Sequence, residues 1–219
     1  EYSNSHAKEI IDINKKAENN SIQQIINNPG KVKKGVRFKM VPLQKLNDFI
    51  TYDYITSTKA DGTQEHFRTG NIVKYSDIDY YAKFEAEVAS TLPSGYIIPA
   101  EFIGIVENLR KHGVKIEQLT KTQSFTGESF SITKFEKAGR SFQGHAMAKA
   151  EGTFSKMSRK FKKGDYLVNM AQPLSNLIFY MLEPQSDDGL LTWNFFDAYL
   201  EKNNSNNQPV EYPVFKYIK

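Results

Sequence analysis

The chain contains no cysteine. A disulfide framework, a thiolate metal site and a cysteine nucleophile are therefore excluded. Its apolar stretches are also short: the one from Leu174 to Leu182 is interrupted by Ser175, Asn176 and Tyr180. A membrane-spanning helix needs roughly 20 mainly apolar residues, so we expect no membrane span.

Several catalytic motifs are missing as well. The sequence has no Gly-x-Ser-x-Gly elbow, no Walker loop and no glycine pattern of a dinucleotide site. It begins at Glu1 without a methionine or a charged and then apolar leader. We therefore expect a processed product or an excised fragment of a longer protein.

The remaining composition is that of a water-soluble globular protein. The 219 residues, 39% of them hydrophobic and 13% aromatic, suffice to bury a core in one generous domain or two small ones. The net charge of +4 arises partly from two basic clusters, which lack a recognised nucleic-acid motif. We interpret them as solvated faces and expect no nucleic-acid partner, with phosphate binding at the second cluster as the alternative. The clusters are Lys31, Lys33, Lys34, Arg37 and Lys39, and Lys156, Arg159, Lys160, Lys162 and Lys163.

The first part of the chain is predicted to be helical. Isoleucines and Ala17 recur at mostly helical spacing over residues 6–26, as one frayed helix or two short ones. Asn27-Asn28-Pro29-Gly30 ends this pattern, because proline cannot continue a helix and glycine accepts the left-handed cap geometry. We expect residues 1–30 to form a helical linker or the tail of a preceding domain.

Strands are predicted next. Val36 to Met40 alternates apolar and polar residues, and Phe49 to Thr56 is rich in aromatic and β-branched residues. Asp61-Gly62 is a hairpin turn signal between such runs. The segment from Tyr80 to Val88 fits a strand or a helix equally well.

A strand-helix-strand unit is predicted near residues 95–119. Gly95 to Ile98 is a short apolar strand, and Pro99 is favourable at the start of a helix. The helix should end at Gly113, and Val114 to Leu119 should return as a strand. A crossover of this kind most naturally makes its two strands parallel.

Longer strands and two helices complete the prediction. Phe125 to Phe135 and His145 to Phe161 alternate like strands. One helix should follow Pro173, and a second should be capped by residues 186–188. An Asn-rich loop from Asn203 to Gln208 should lead to a last strand from Tyr212 to Ile218.

These elements predict an α+β fold. Its antiparallel-rich, sandwich-like sheet should contain the unit near 95–119, with the two C-terminal helices packed on it. Residues 31–219 are interpreted as one accessory α+β domain with a possible boundary near residue 93.

A zinc site is the first chemical alternative that the sequence offers. His6 and Glu9 have the His-x-x-Glu spacing that can ligate zinc, with His112 or His145 as a third ligand. Such short motifs arise often by chance, and His112 is explained by a helix C-terminus, where a cation is favourable. We therefore nominate no metal ligand, no cofactor-binding residue and no catalytic residue.

Carboxylates and aromatics offer two further alternatives. Glu183, Asp187 and Asp188 gather beside a loop where paired acid chemistry or calcium binding is conceivable, but helix capping explains the two aspartates more simply. The pairs Tyr52/Tyr54 and Tyr80-Tyr81 would form a sugar-stacking platform if they were exposed on a sheet. Core packing is the default for most aromatic residues.

A group of short segments in the second half of the chain has a recognisable pattern. They are Gly164-Asp165-Tyr166-Leu167-Val168, Gln172-Pro173-Leu174, Leu182-Glu183-Pro184-Gln185-Ser186-Asp187-Asp188-Gly189 and Thr192-Trp193-Asn194-Phe195-Phe196-Asp197. Together they resemble the C-terminal region of bacterial zinc carboxypeptidases of the carboxypeptidase A type. Gly95 to Pro99, Leu109 to Gly113, Gly144-His145 and Tyr212-Pro213-Val214 fit the same region in the same order. The resemblance covers residues 95–219 well and the preceding part loosely.

The resemblance implies a secreted or periplasmic protein with a separate catalytic domain. That domain, in the same polypeptide and preceding this chain, would hold zinc and the glutamate that activates water, so this chain by itself would need no cofactor and be no enzyme. Its partner would be that domain, with peptide or glycan as further ligands. The rival hypothesis is a cell-envelope glycan- or protein-binding module. An exposed aromatic row would favour the rival, and an apolar patch beside the N-terminal helix would favour a partner domain.

Overall fold

The computed structural model describes residues 1–203 and 208–219, which form two compact units. The core unit comprises residues 1–37 and 87–219, and the ribbon unit comprises residues 38–86. The helices are α1 (Tyr2–Ser5), α2 (Ala7–Asn27), α3 (Ile103–Lys111), α4 (Ser175–Leu182) and α5 (Asp197–Asn203). The strands are β1 (Lys33–Leu46), β2 (Phe49–Thr58), β3 (Gln64–Tyr75), β4 (Ile78–Thr91), β5 (Gly95–Ile98), β6 (Glu117–Gln118), β7 (Gln123–Lys137), β8 (Ala148–Phe161), β9 (Tyr166–Asn169), β10 (Val210–Glu211) and β11 (Phe215–Tyr217).

The predicted N-terminal helix is confirmed as α2. It ends at Asn27, and Gly30 follows with a φ of 67°. A side chain at Gly30 would also require Ile218 to shift, because an added Cβ would lie 2.8 Å from Ile218 Cγ2. The predicted boundaries at residue 30 and near residue 93 stay predictions.

A seven-stranded antiparallel sheet forms the centre of the core unit. Its strand order is β10-β7-β11-β5-β9-β6, and β8 pairs with β7. Aromatic and aliphatic side chains fill the space between this sheet and the helices. The largest fully buried ones include Tyr96, Tyr212, Phe130, Phe179 and Phe196. Phe215 is fully buried in a second, smaller cluster with Phe125 and Phe161. The predicted α+β fold with an antiparallel-rich sheet is confirmed.

The two strands of the strand-helix-strand unit run parallel, as predicted, but another strand lies between them. β5 and β6 both pair antiparallel with β9, so they run parallel to each other with β9 between them. Helix α3 ends at Lys111, and Gly113 adopts a φ of 88°. The returning strand is limited to Glu117–Gln118.

Both predicted C-terminal helices are present, but only the first begins where it was predicted. Helix α4 begins at Ser175, close to Pro173, whereas α5 begins only at Asp197. The prediction that residues 186–188 cap a helix is wrong. This segment forms turns instead. Thr192 Oγ1 donates to Ser186 O at 2.7 Å, and Leu190 N donates to Met181 O. The predicted Asn-rich loop lies largely outside the described residues.

The ribbon unit is built from long strands. β2 and β3 form an antiparallel hairpin, and β1 pairs with β4 in a second two-stranded sheet. The predicted turn is confirmed, with Gly62 at a φ of 83° and Gly62 N donating to Lys59 O. The segment from Tyr80 to Val88 is a strand. None of residues 38–86 is buried.

Within residues 1–203 and 208–219, no helix combines the length and the apolar character that a bilayer crossing requires.

Candidate functional site

The histidines considered as zinc ligands occupy separate surface positions. His6 stacks on Tyr2 with ring centroids 4.0 Å apart and contacts Ser5 Oγ through Nδ1. His112 caps α3, and His145 lies against Trp193. In the part of the chain that the structure describes, no three His, Asp or Glu side chains form a group that could hold a metal ion. Zinc therefore does not fit these residues.

The acidic residues of the 183–188 segment are separated by the fold. Asp188 Oδ1 accepts a hydrogen bond of 2.6 Å from Trp193 Nε1. Burial and the nearby carboxylates of Asp187 and Asp188 raise the pKa of Tyr180 to about 12. Glu183, in contrast, points into the core unit, and its side chain is 1% exposed. The three carboxylates thus do not form a shared acid pair or a calcium site.

Glu183 belongs to a buried polar cluster centred on Lys216. Lys216 Nζ lies 3.1 Å from Glu183 Oε1 and 3.4 Å from Oε2. It also donates to Ser90 Oγ at 2.7 Å and lies 3.9 Å from Glu128 Oε2. The ring of Phe154 covers the ammonium at 4.1 Å from its centroid. We call these five residues, together with Tyr96, the Lys216 cluster.

The sheet register explains how this cluster forms. In strand β11, Lys216 is directly opposite Tyr96 of β5 and Glu128 of β7. Directly opposite residues of neighbouring strands project to the same face of a sheet. Glu183 follows the last residue of α4 and reaches the cluster from the helix layer.

Hydrogen bonds from tyrosines complete the surroundings of Glu183. Tyr96 donates its hydroxyl to Glu183 Oε1 at 2.6 Å, and Tyr212 donates to Leu182 O at 3.1 Å. Burial and the charge of Glu183 hold the pKa of both tyrosines well above the usual value. Both hydroxyls therefore stay protonated donors. The cluster combines an amine, two carboxylates and the hydroxyls of Ser90 and Tyr96 in the interior of the core unit, and the Glu128 side chain is 14% exposed.

Lys216 was not among the residues singled out from the sequence, although a signal for it exists. Tyr212, Val214 and Lys216 alternate within the strand predicted from Tyr212 to Ile218, which would place all three on one face. The structure limits β11 to Phe215–Tyr217 and buries every residue from 212 to 216. A lysine at that position predicts a buried partner, and Glu183 could not be identified as this partner from its position in the sequence.

One basic cluster is not simply a solvated face. Arg37 is only 9% exposed, donates to Glu151 Oε1 at 2.7 Å and reaches Ala150 O. Burial opposes ionisation of Glu151, but the hydrogen bonds and charges of Arg37 and, to a smaller extent, Lys149 together outweigh it and lower its pKa. In the second cluster, Arg159 pairs with Glu211. Both arginines therefore form ion pairs within the core unit.

The ribbon unit exposes large apolar side chains along its length. Both tyrosine pairs considered as a stacking platform, Tyr52/Tyr54 and Tyr80-Tyr81, are exposed. In the β2–β3 hairpin, directly opposite pairs such as Phe49/Tyr75 and Tyr52/Ile72 share a face. Further exposed apolar residues are Phe38, Met40, Leu43, Ile50, Ile55, Phe67 and Phe84. Monomeric proteins rarely expose so many large apolar residues together unless they mark an interaction site.

Helix α2 is the second uncovered apolar surface. Residues 7–20 are all exposed, and Ile25 is its sole buried residue. Ile10 and Ile13, which are 40% and 60% exposed, lie about one helical turn apart on the same face, whereas Ile26, 54% exposed, lies on nearly the opposite side of the helix. An amphipathic helix normally owes its stability to packing of its apolar face, so the face with Ile10 and Ile13 is a candidate contact surface.

The chain is similar to fungal carboxypeptidases over most of its length. It is 24% identical to carboxypeptidase 2 of Trichophyton rubrum over 75% of this chain and 30% of that protein. It is 26% identical to the probable carboxypeptidase 2 of Trichophyton verrucosum over 60% of this chain and 26% of that protein. The corresponding protein of Arthroderma benhamiae is 26% identical over 67% of this chain and 29% of its own length.

Two comparisons found nothing. No family model matches the sequence, and no solved structure matches it.

The match to the carboxypeptidase of Trichophyton rubrum covers 75% of this chain, which is more than the part from Gly95 to Lys219, so the similarity also includes some of the preceding residues. The chain spans at most about a third of the curated relatives it matches. These similarities support a carboxypeptidase-related protein.

Proposed function

We propose that this chain is a non-catalytic accessory domain of a longer, exported zinc metallocarboxypeptidase-like protein. In that protein, a preceding domain would remove C-terminal residues from peptides with the help of zinc. The proposal is supported by the carboxypeptidase similarity, which covers 26–30% of each relative. It also agrees with the resemblance of residues 95–219 to a C-terminal region.

The observation that carries this proposal is the uncovered apolar face of α2. Ile10 and Ile13 are exposed on one face of a helix whose single buried residue is Ile25. A helix of this composition gains stability when another surface covers it. We infer that the preceding catalytic domain supplies that surface.

Activity assays on separate pieces test the catalytic part of the proposal. We expect the chain alone not to release the C-terminal residue of a blocked dipeptide when zinc is supplied. The longer protein with its upstream domain should release it. Metal-dependent turnover by the chain alone, lost upon a point substitution within it, would contradict the proposal.

Binding between the pieces tests the docking surface. The isolated upstream domain should bind the chain, and Ile10→Ser combined with Ile13→Ser should weaken that binding at least tenfold. Gln23→Ser is the matched control, because Gln23 is exposed on the same helix but polar. Equal loss in both variants would show that the apolar face is not the contact.

The exposed tyrosines favour a second candidate function, glycan binding by the ribbon unit. The guanidinium of Arg68 lies 4.3 Å from the ring centroid of Tyr52, which holds this ring in a defined position on the hairpin. Titration with chitin oligosaccharides and peptidoglycan fragments tests it. A saturable response that Tyr52→Ala and Tyr54→Ala abolish, but Tyr2→Ala in the core unit leaves intact, would favour this rival.

A further inference from the structure

The Lys216–Glu183 pair is buried in the core unit, where charged groups are energetically unfavourable. Their side chains are only 2% and 1% exposed. Each charge that leaves water costs several kcal/mol, and mutual attraction offsets this only in good geometry. The surroundings therefore favour any process that converts both charged groups into neutral ones.

The geometry of the pair suits a direct reaction between the two side chains. Because Nζ lies within 3.4 Å of both oxygens of Glu183, the carboxyl carbon is held at contact distance from the amine. Groups held so close react with effective concentrations of about 10⁵–10⁸ M. Lys216 is fixed from the other sides by Ser90 and the Phe154 ring.

We propose that Lys216 and Glu183 condense into an intramolecular isopeptide bond, so that this chain carries a self-modification site. A proton passes from the ammonium to the carboxylate. The lone pair of Nζ then bonds to Glu183 Cδ, the bond from Cδ to the protonated oxygen breaks, and that oxygen leaves as water with a second amine proton. The step needs no oxidant, reductant or other reactant.

Two further residues are placed to assist this reaction. Glu128 Oε2, at 3.9 Å from Nζ, can accept the amine proton and return it to the leaving oxygen. Tyr96 donates to Glu183 Oε1 at 2.6 Å and would stabilise negative charge on that oxygen in the tetrahedral intermediate. This site lies in the core unit and is independent of the carboxypeptidase proposal.

Intact-mass measurement of the denatured full chain tests the proposal. We expect a mass lower than that of the sequence by one water molecule. After trypsin digestion, cleavage following Lys216 should be lost, and a branched peptide should join the segments containing Lys216 and Glu183. A chain of full sequence mass overturns the proposal, whether or not any variant folds.

Variants locate the reaction and identify its groups. Lys216→Arg should keep its full sequence mass. Glu183→Gln should release ammonia instead of water, which leaves a product of the same mass as the condensed wild type. Glu128→Gln should contain less condensed product after the same time from purification. Water loss that persists in Lys216→Arg, for example from Asp61-Gly62, would overturn the proposal.

Discussion

The core unit and the ribbon unit use the same strand-forming residues in opposite ways. In the core unit, strands β5 and β7 place Tyr96 and Phe130 under a helix layer, and Phe215 of β11 is buried in a second cluster on the other face of the sheet. In the ribbon unit, Phe49, Phe67 and their neighbours remain exposed. Aromatic and β-branched residues thus determine strand formation in both units, but burial requires a second layer.

This difference has an energetic consequence. An isolated two-stranded hairpin is marginally stable at best in water. The ribbon unit has two such sheets and no buried residue. We therefore expect the global stability of the chain to reside in the core unit, while the ribbon unit contributes mainly to binding.

Removing the buried lysine should have the largest effect on stability. Relative to the chain that still has the ion pair, before condensation, Lys216→Met leaves Glu183 without its cation in the interior, which should lower the free energy of unfolding by about 3–5 kcal/mol. Urea denaturation measures this change. The double variant with Glu183→Gln should be more stable than Lys216→Met alone, because no unpaired charge remains. A double variant that is less stable than the single one would contradict this explanation.

A pair of identical substitutions compares the two units directly. Leu109 is fully buried in the core unit, and Leu43 is 56% exposed in the ribbon unit. Leu109→Ala should cost about 2–5 kcal/mol through lost burial and a residual cavity. Leu43→Ala should change stability by no more than about 0.5 kcal/mol. Similar losses in urea denaturation would show that the ribbon unit is covered in solution.

The Arg37–Glu151 pair should produce a smaller effect that depends on pH. Arg37→Ala should cost about 1–3 kcal/mol at neutral pH, because its hydrogen bonds to a charged partner are lost. Lys149→Ala is the control: Lys149 contacts the same carboxylate at 3.4 Å but is exposed, so its loss should cost less than about 1 kcal/mol.

The pH dependence has a definite sign. The pKa of Glu151 is lower in the folded chain than the value of about 4.3 expected in the unfolded chain. Its contribution to stability is therefore present above about pH 4.3 and is lost as the pH falls through the folded value. Between pH 6 and pH 3 the wild type should lose more stability than Arg37→Ala. Parallel pH profiles would contradict the assigned role.

Much of the fold was predictable, and the failures have physical reasons. The alternation of Val36 to Met40 and the cap at Gly113 depend on local chemistry, so local patterns sufficed. The segment before α5 is held by long-range hydrogen bonds, from Asp187 N to Val36 O and from Ala148 N to Thr192 O, which spacing does not reveal. Likewise, the Lys216 cluster joins residues as far apart in sequence as Ser90 and Lys216. Sequence periodicity places Lys216 on a buried face, but its partner emerges only from the fold.

The last prediction removes most of the ribbon unit and has the smallest expected effect on stability. Lys45 Nζ lies 2.8 Å from Asp79 Oδ1, and Asp77 N donates to Asn47 Oδ1 at 3.3 Å. The ends of β1 and β4 are therefore close enough for Asn-Gly to replace residues 47–77 as a two-residue hairpin turn.

This excision should leave the core unit intact. Residues 38–86 contribute no side chain to either described hydrophobic cluster, so the melting temperature should shift by no more than about 2–4 °C, equivalent to about 1 kcal/mol at this chain length. Differential scanning calorimetry measures the shift. If glycan binding by the wild type is observed, the shortened chain should lose it while still docking through α2. A large fall in melting temperature would instead show that the ribbon unit stabilises the core unit. That result would contradict the expectation that the ribbon unit contributes mainly to binding.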